Sequence, residues 1–284
     1  MTLKRITGVV PFVYLALFLG LIFATGALAQ TSRDGDRMQG QISFGFDGQN
    51  YNTGRTSSVG SLDATVRLLP RWTLETMATG GVYFGEQFGG GASYLTLKPN
   101  ARTYFSAGGS RNSDTSTTAE WSASFEAGRT LYQSEQSPVR RQGAIRALET
   151  DLNVTERGYH LSPSIHILLV NPTLVVYLPR DWALTLRAGA IRETIGGAST
   201  WTPSGGAKLS VPLTRRLSVS PAVAFDSELS NVLQINNVSS REFGGGVHYW
   251  LTRSTSAGAY YFRVLYGANH LASDSYGVSY VIRF

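Results

Sequence analysis

Apolar and polar residues alternate along most of the chain from about residue 38 onward. In one such run the apolar members are Leu62, Ala64, Val66 and Leu68, and the residues between them are polar. A period of two predicts β-strands with one apolar and one polar face. Each run is about ten residues long, which is the length that a tilted strand needs to cross a bilayer.

The connections between these runs also alternate, with short turns such as 69–72 on one side and looser segments such as 47–56 on the other. Outer-membrane barrels have this asymmetry. We therefore predict an all-β fold, a single transmembrane antiparallel up-and-down β-barrel of about 14 strands that occupies residues 39–284. The segment 140–152 also has a helical pattern, which leaves an alternative count of 12. The predicted strands lie near 39–49, 56–68, 72–85, 87–98, 101–112, 116–131, 142–160, 164–178, 181–195, 200–213, 215–229, 239–252, 255–267 and 273–284.

The amino terminus has the three parts of a secretory signal. Lys4 and Arg5 precede an apolar stretch at 9–23, and small residues follow at 27–29. This predicts a signal peptide over 1–29 that is cleaved after Ala29, then a short periplasmic segment over 30–38. An uncleaved anchor is the alternative, because the apolar stretch approaches the lower length limit for a spanning helix. Together with the strands, the signal predicts the bacterial outer membrane as the location.

Composition narrows the classes of function. The chain has no cysteine, which excludes disulfides and thiol catalysis, and its four histidines never recur at metal-ligand spacing. We predict no metal and no cofactor. The formal charge is +6, but basic residues cluster no further than pairs such as Arg215-Arg216. With an export signal present, nucleic acid is not an expected partner.

The last strand carries the strongest local motif. Its apolar face is formed by Tyr276, Val278, Tyr280, Ile282 and the terminal Phe284. This face resembles the signal that the barrel-assembly machinery recognises in outer-membrane proteins, by pairing of strand edges. We therefore expect that machinery to be a partner.

Charged residues on the polar parity are predicted to face the lumen, where they either pair across strands or line an aqueous pore. With about fourteen strands, a passage or an internal plug is expected. Aromatic residues near strand ends are predicted to form girdles at the lipid interfaces; these are Trp72, Trp182, Trp201, Tyr249, Trp250, Tyr260 and Phe262. The predicted lumen-facing residues are Asp63, Arg67, Glu75, Arg102, Glu126, Arg187, Lys208, Asp226, His248, Arg263 and Arg283.

One pair of residues offers a catalytic alternative. His160 and Ser162 are two apart on a predicted strand, so both side chains share a face and His160 could activate Ser162 as a nucleophile. The spacing resembles that in outer-membrane lipases and lipid A deacylases. The sequence shows no acidic or amide residue beside them that would complete a catalytic triad.

The second half of the chain resembles the YaiO family of small outer-membrane barrels. The matching segments are Arg157-Gly158-Tyr159-His160, His166-Ile167-Leu168, Pro172-Thr173-Leu174, Tyr177-Leu178-Pro179, Trp201-Thr202-Pro203-Ser204-Gly205-Gly206 and Ser275-Tyr276-Gly277-Val278-Ser279-Tyr280. The resemblance implies fold and location, and no catalytic motif. The tetratricopeptide repeats that accompany some members are absent from this sequence.

The sequence thus predicts a non-enzymatic outer-membrane protein that either lets small solutes pass or supports an envelope assembly or polysaccharide-export system with an unknown partner. Outer-membrane lipid and lipopolysaccharide are its expected surroundings. A membrane-embedded lipid hydrolase acting on lipid A or phospholipid and a soluble periplasmic β-sandwich are the alternatives.

Overall fold

The computed structural model of the chain describes residues 40–113, 118–134, 145–159, 161, 163–226, 240–267 and 271–284. The predicted signal peptide (1–29) and periplasmic segment (30–38) lie outside the described residues. Within the described part there are fourteen strands. They are Gly40–Tyr51 (β1), Thr56–Leu69 (β2), Trp72–Tyr83 (β3), Glu86–Asn100 (β4), Thr103–Asn112 (β5), Trp121–Gln133 (β6), Ala147–Tyr159 (β7), Ile165–Tyr177 (β8), Ala183–Ile195 (β9), Ala198–Pro212 (β10), Leu217–Asp226 (β11), Ser240–Trp250 (β12), Thr255–Tyr266 (β13) and Ala272–Arg283 (β14).

The strands form one closed antiparallel barrel. Each strand pairs with its neighbours in sequence, and β1 pairs with β14 to close the wall. The prediction of an up-and-down barrel with 14 strands is confirmed, and the alternative of 12 is wrong, because residues 147–152 belong to β7 rather than to a helix. A single closed sheet also differs from the two packed sheets of a β-sandwich. No described residue belongs to a helix long and apolar enough to cross a bilayer.

The two ends of the barrel differ in their connections. The end where β1 begins and β14 finishes, here called the terminus end, has short turns such as 101–102 and 251–254. The terminus end also carries the longer connection between β6 and β7. This corrects the expectation that all long segments lie at one end and all short turns at the other. The other end, the loop end, includes two turns of only two residues. One of them is Phe84-Gly85, whose φ angles of 51° and 87° are those of a hairpin turn that matches strand twist.

The barrel wall has two chemically distinct faces. The outer face exposes large apolar side chains, for example Phe225 at 48% and Val278 at 57%. The inner face carries polar ladders such as Ser43 to Asp63 at 3.1 Å. Glu75 of β3 and Glu126 of β6, which are not on adjacent strands, lie within electrostatic range of each other, as side chains that point into the barrel can.

The predicted aromatic girdles are corrected in part. Trp72 and Tyr249 lie on the outer face near the terminus end, and Trp201 lies on it near the loop end. Trp182 is exposed in the turn before β9. The register instead places three of the predicted girdle residues on the inner face, namely Trp250, Tyr260 and Phe262.

Candidate functional site: the barrel lumen

The inner face collects most of the charged residues that the sequence singled out. The register of each strand with its neighbours assigns them to the face that carries Asp63. Those at inner-face positions are Asp63, Arg67, Glu75, Glu126, Arg187, Lys208, His248 and Arg283. Asp226, the last residue of β11, occupies an inner-face register position opposite Ser240.

Two of the predicted lumen residues lie elsewhere. Arg263 of β13 is opposite Phe243 and Asp274 on the outer face, and its guanidinium donates to the Asp274 carboxylate at 2.6 Å. Apolar side chains occupy both parities of β13, so alternation alone could not identify the inner one. Arg102 lies in the turn between β4 and β5 rather than on a strand, because β4 extends two residues beyond the predicted end.

Carboxylates line the part of the lumen formed by β2, β3, β6 and β7. Asp63, Glu75 and Glu126 are joined there by Glu149 and Asp151, which sequence reasoning missed. Tyr104 donates a hydrogen bond to Glu126, and Tyr177 donates one to Glu149 at 3.0 Å. Glu149, Asp151 and Asn153 share one parity, a polar alternation that was a usable signal but fell where the helical pattern competed.

Basic side chains lie on the other side of the lumen. Arg187 of β9 and Lys208 of β10 project from that wall, and Arg283 of β14 lies at the terminus end. The Arg283 guanidinium stacks over the Trp250 ring at 4.4 Å. Arg67 of β2 is a basic residue on the acidic side, at the terminus end, where it donates to the Pro70 carbonyl at 2.6 Å. Arg157 of β7 also occupies an inner-face position on the carboxylate-rich side, and Glu193 and Glu242 occupy inner-face positions on the other side. Carboxylates therefore predominate on one side of the lumen, and acids and bases are mixed on the other.

Small side chains occupy several inner-face positions on the side opposite the five carboxylates, where Glu242 of β12 also points inward. At inner-face positions of β10, β11 and β12 the register aligns Gly206, Ala222, Ala224, Gly244 and Gly246. Small residues at these positions add little side-chain volume to the lumen.

The loop end of the lumen carries an aromatic cluster on one side. This aromatic cluster comprises Tyr51, Phe84, Val264, Tyr266 and Leu271. The Tyr51 ring lies 5.0 Å from that of Phe84 and 6.2 Å from that of Tyr266. The hairpin turn that carries Phe84 is thereby joined to β1 and β13, across the strands that close the barrel.

An aliphatic cluster lies on the inner face of β8 and β9 at the same end, where the register places Arg157 and Glu193 on either side of Ile167. Its buried members are Ile165, Ile167, Leu169 and Ile191, against which Tyr159, Leu161 and Ile195 pack. The side chains of Ile167 and Ile191 are 0% exposed. An inner-face residue can be so buried only if other side chains fill the lumen around it.

Sequence reasoning missed this apolar layer, although a signal exists. In β8 the residues of both parities are apolar, with Ile165, Ile167 and Leu169 inward and Leu168 and Val170 outward. A strand of this kind meets water on neither face. Alternation was therefore the wrong pattern to seek there.

The closing seam is reinforced on both faces. On the inner face, Tyr260 of β13 reaches over Gly277 of β14 and donates to Asp47 of β1 at 2.5 Å. On the outer face, Tyr276 covers Gly48 of β1. The predicted assembly residues Tyr276, Val278, Tyr280 and Ile282 lie on the outer face of β14, and Phe284 follows that strand. The candidate catalytic residues His160 and Ser162 lie outside the described residues.

Comparison with known proteins gives likeness of structure alone. No protein-family model and no curated protein matches the chain. The Pseudomonas putida toluene transporter TodX is similar in structure, with a TM-score of 0.54 and 8% identity over 88% of this chain and 90% of that chain. The Acinetobacter baumannii outer membrane protein Omp33 has a TM-score of 0.52 and 14% identity over 88% of this chain and all of that chain, 100%. The chain thus has the fold of an outer-membrane β-barrel.

Proposed function

We propose that the protein lies in the bacterial outer membrane and lets small solutes pass through its lumen, without enzymatic activity. The observation that carries the proposal is the charged inner face. Five carboxylates, at positions 63, 75, 126, 149 and 151, share one side of the lumen. Buried charges persist only when they are paired or hydrated, and carboxylates outnumber basic residues on this side. A lumen that holds water satisfies them.

The size of the barrel supports the same proposal. Eight strands leave an interior that side chains can fill, and the interior widens as strands are added. Here fourteen strands enclose a lumen in which β10, β11 and β12 present glycine and alanine at several inner-face positions. Passage through this fold has a precedent in TodX, which is described as a toluene transporter.

The route to the membrane is part of the proposal. The signal peptide over 1–29 would direct export, and the outer face of β14 with Phe284 would be recognised by the barrel-assembly machinery. Lipopolysaccharide and outer-membrane lipid would surround the apolar outer face. Membership of the YaiO-like barrels rests on the motifs of the second half of the chain.

Two measurements on folded protein test passage. Folding is verified by migration on a gel that changes on boiling. Ion passage is then measured as conductance steps in planar bilayers, and passage of an aromatic solute as uptake of N-phenylnaphthylamine by cells that express the chain. We expect protein-dependent passage in at least one assay. Folded protein that is silent in both would overturn the proposal.

The absence of catalysis has its own test. Changing Ser162 to Ala should leave the lipid A and phospholipid profile of the cell unchanged, because Ser162 would be the nucleophile of the hydrolase alternative. A lipid-hydrolysing activity that disappears in this variant would establish the enzyme instead. The location is checked separately, since an integral barrel stays in the membrane fraction after a carbonate wash.

A further inference from the structure

The outer face of β6 to β10 changes from apolar to polar toward the loop end. The register aligns its outward side chains in rows that run across the strands. One row is wholly apolar and consists of Phe125, Val154, Val170, Ala190 and Pro203. The next row toward the loop end holds Glu156, Leu168, Arg192 and Trp201, and the row after it holds Trp121, Gly158, His166, Thr194 and Ser199. Polar side chains and tryptophans begin together where the lipid-facing band of a barrel ends, so these two rows lie at the level of the lipid headgroups.

The guanidinium of Arg192 is poorly satisfied by the protein itself. It lies over the Trp201 ring, with Cζ 5.7 Å from the ring centroid. Its Nε is buried and has no hydrogen-bond partner within the described part of the chain. The carboxylate of the same row belongs to Glu156, whose Oε1 lies 3.9 Å from Nδ1 of His166, and Leu168 separates it from Arg192. Since a charged group at the edge of a membrane needs a partner or water, Arg192 is available to an anion of the headgroup region.

Two hydroxyls lie next to Arg192 on the outer face. Thr194 is two residues along β9, and Ser199 is opposite Thr194 on β10. Their hydroxyl oxygens are 2.8 Å apart and share one hydrogen bond. A hydroxyl carries a single proton, so whichever of the two accepts this bond keeps its own proton for another acceptor. One phosphate can therefore accept hydrogen bonds from the guanidinium and from this hydroxyl pair.

Two indole rings border this polar region. The Trp121 ring lies over Gly158, where an added Cβ would collide with it, and its centroid is 6.1 Å from that of the His166 ring. Trp201, on the other side, is 55% exposed. Such rings offer a flat face with partial negative charge, against which the C–H groups of a sugar ring pack. The two-tryptophan patch, as we call this surface, consists of Trp121, His166, Arg192, Thr194, Ser199 and Trp201.

We infer that the two-tryptophan patch binds the phosphorylated saccharide of an outer-leaflet glycolipid, as in the lipid A part of lipopolysaccharide. A guanidinium binds two oxygens of a phosphate at once, which is the contact that Arg192 offers. The hydroxyl pair adds a further donor, and the indole rings flank the sugar. Glycolipid rather than phospholipid is expected because the loop end of an outer-membrane barrel faces the cell exterior. The inference rests on the proposed location in the outer membrane and does not depend on solute passage.

Lipid binding to the purified, folded protein tests the inference. Native mass spectrometry in detergent gives the apparent Kd for diphosphoryl lipid A, for dephosphorylated lipid A and for phosphatidylglycerol. We expect wild type to prefer diphosphoryl lipid A to both other lipids, and Arg192→Gln to weaken its binding by about tenfold, because charge-assisted hydrogen bonds are lost. Arg192→Lys keeps the charge without the planar fork and should restore part of the affinity. Arg129→Gln is the matched control, since it removes the same charge from the outer face near the terminus end, and it should bind the lipid as wild type does.

Equal binding of diphosphoryl lipid A by wild type and Arg192→Gln, with both folded as judged by heat-modifiable migration, would overturn the inference. Equal affinity of wild type for dephosphorylated lipid A or for phosphatidylglycerol would do the same, because lipid would then adhere to the outer face without recognition of the headgroup. Inorganic phosphate should not displace the lipid, since it makes no contact with the indole rings, and displacement would show a site for free anions instead. Lipid binding by a protein that is silent in both passage assays would overturn the proposed function alone, whereas passage without lipid binding would overturn this inference alone.

Discussion

Two glycines of β1 leave room for aromatic rings that pack across the closing seam. A Cβ at Gly40 would come within 2.9 Å of the Phe284 ring, and one at Gly48 within 2.5 Å of the Tyr276 ring. Both rings belong to the face of β14 that the sequence marked as an assembly signal. The same side chains that would be recognised during assembly therefore also pack across the finished seam.

Substitution of these glycines should reveal that packing. Gly48→Ala is expected to lower the stability of the folded barrel by about 1–3 kcal/mol, because the added methyl group displaces the Tyr276 ring. Gly60→Ala on the neighbouring strand is the control, since nothing lies nearer than 3.8 Å to its Cβ. Urea unfolding in lipid vesicles measures both. Equal midpoints for the two variants would contradict the packing role of Gly48.

The strands differ in how readily the sequence predicts them. Strands such as β2 and β14 have one apolar face toward lipid and one polar face toward water, so alternation predicts both their existence and their orientation. In β13 the residues Tyr260 and Tyr261 face opposite ways and both are aromatic, which hides the orientation and led to the wrong assignment of Arg263. The length of turns also has to be observed, because Phe84 gives no sign in the sequence that a two-residue turn begins there.

The end of the terminal strand is held to β1 by both backbone and side-chain contacts. Phe284 exchanges two backbone hydrogen bonds with Gly40, at 2.9 and 3.0 Å, in addition to the contact of its ring. Phe284→Ala keeps the backbone bonds and removes the ring, so we expect slower insertion by the barrel-assembly machinery and less folded product. Ser279→Ala, on the inner face of β14, should assemble as wild type does. The heat-modifiable fraction over time is the measurement, and equal rates would contradict the prediction.

For the whole molecule, closure of the barrel creates the site. No single strand contains the lumen, and residues as distant in sequence as Asp63 and Asp151 become members of one acidic wall only when the sheet closes. The sequence could therefore predict a lumen with charges, from the parity of residues such as Asp63 and Glu126. It could not predict the aromatic cluster at the loop end, because that cluster brings together residues as distant in sequence as Tyr51 and Tyr266.

The excess of carboxylates on the inner face predicts a preference for cations. The reversal potential in a salt gradient measures this selectivity. Replacing Glu126 by Gln or Asp151 by Asn should weaken preference for cations, whereas Lys208→Gln should strengthen it, because lumen charges attract ions of opposite sign. Asp181→Asn in the exposed turn before β9 removes the same charge outside the barrel wall and should change little. An identical reversal potential in all four would refute a role for the walls.

The seam between β1 and β14 also governs how the chain must be made. Eleven residue pairs join the two strands, from Gln41 with Arg283 to Tyr51 with Ser273. Their separation along the chain is nearly its entire folded length, and pairing of such high contact order is slow. β1 is synthesised first but cannot pair with β14 until the end of the chain is present, and its unpaired edge is prone to aggregation in the meantime. A truncated chain that lacks β14 keeps an unpaired edge at each end of its sheet and cannot form this seam. The barrel can therefore close only after the whole chain has been made.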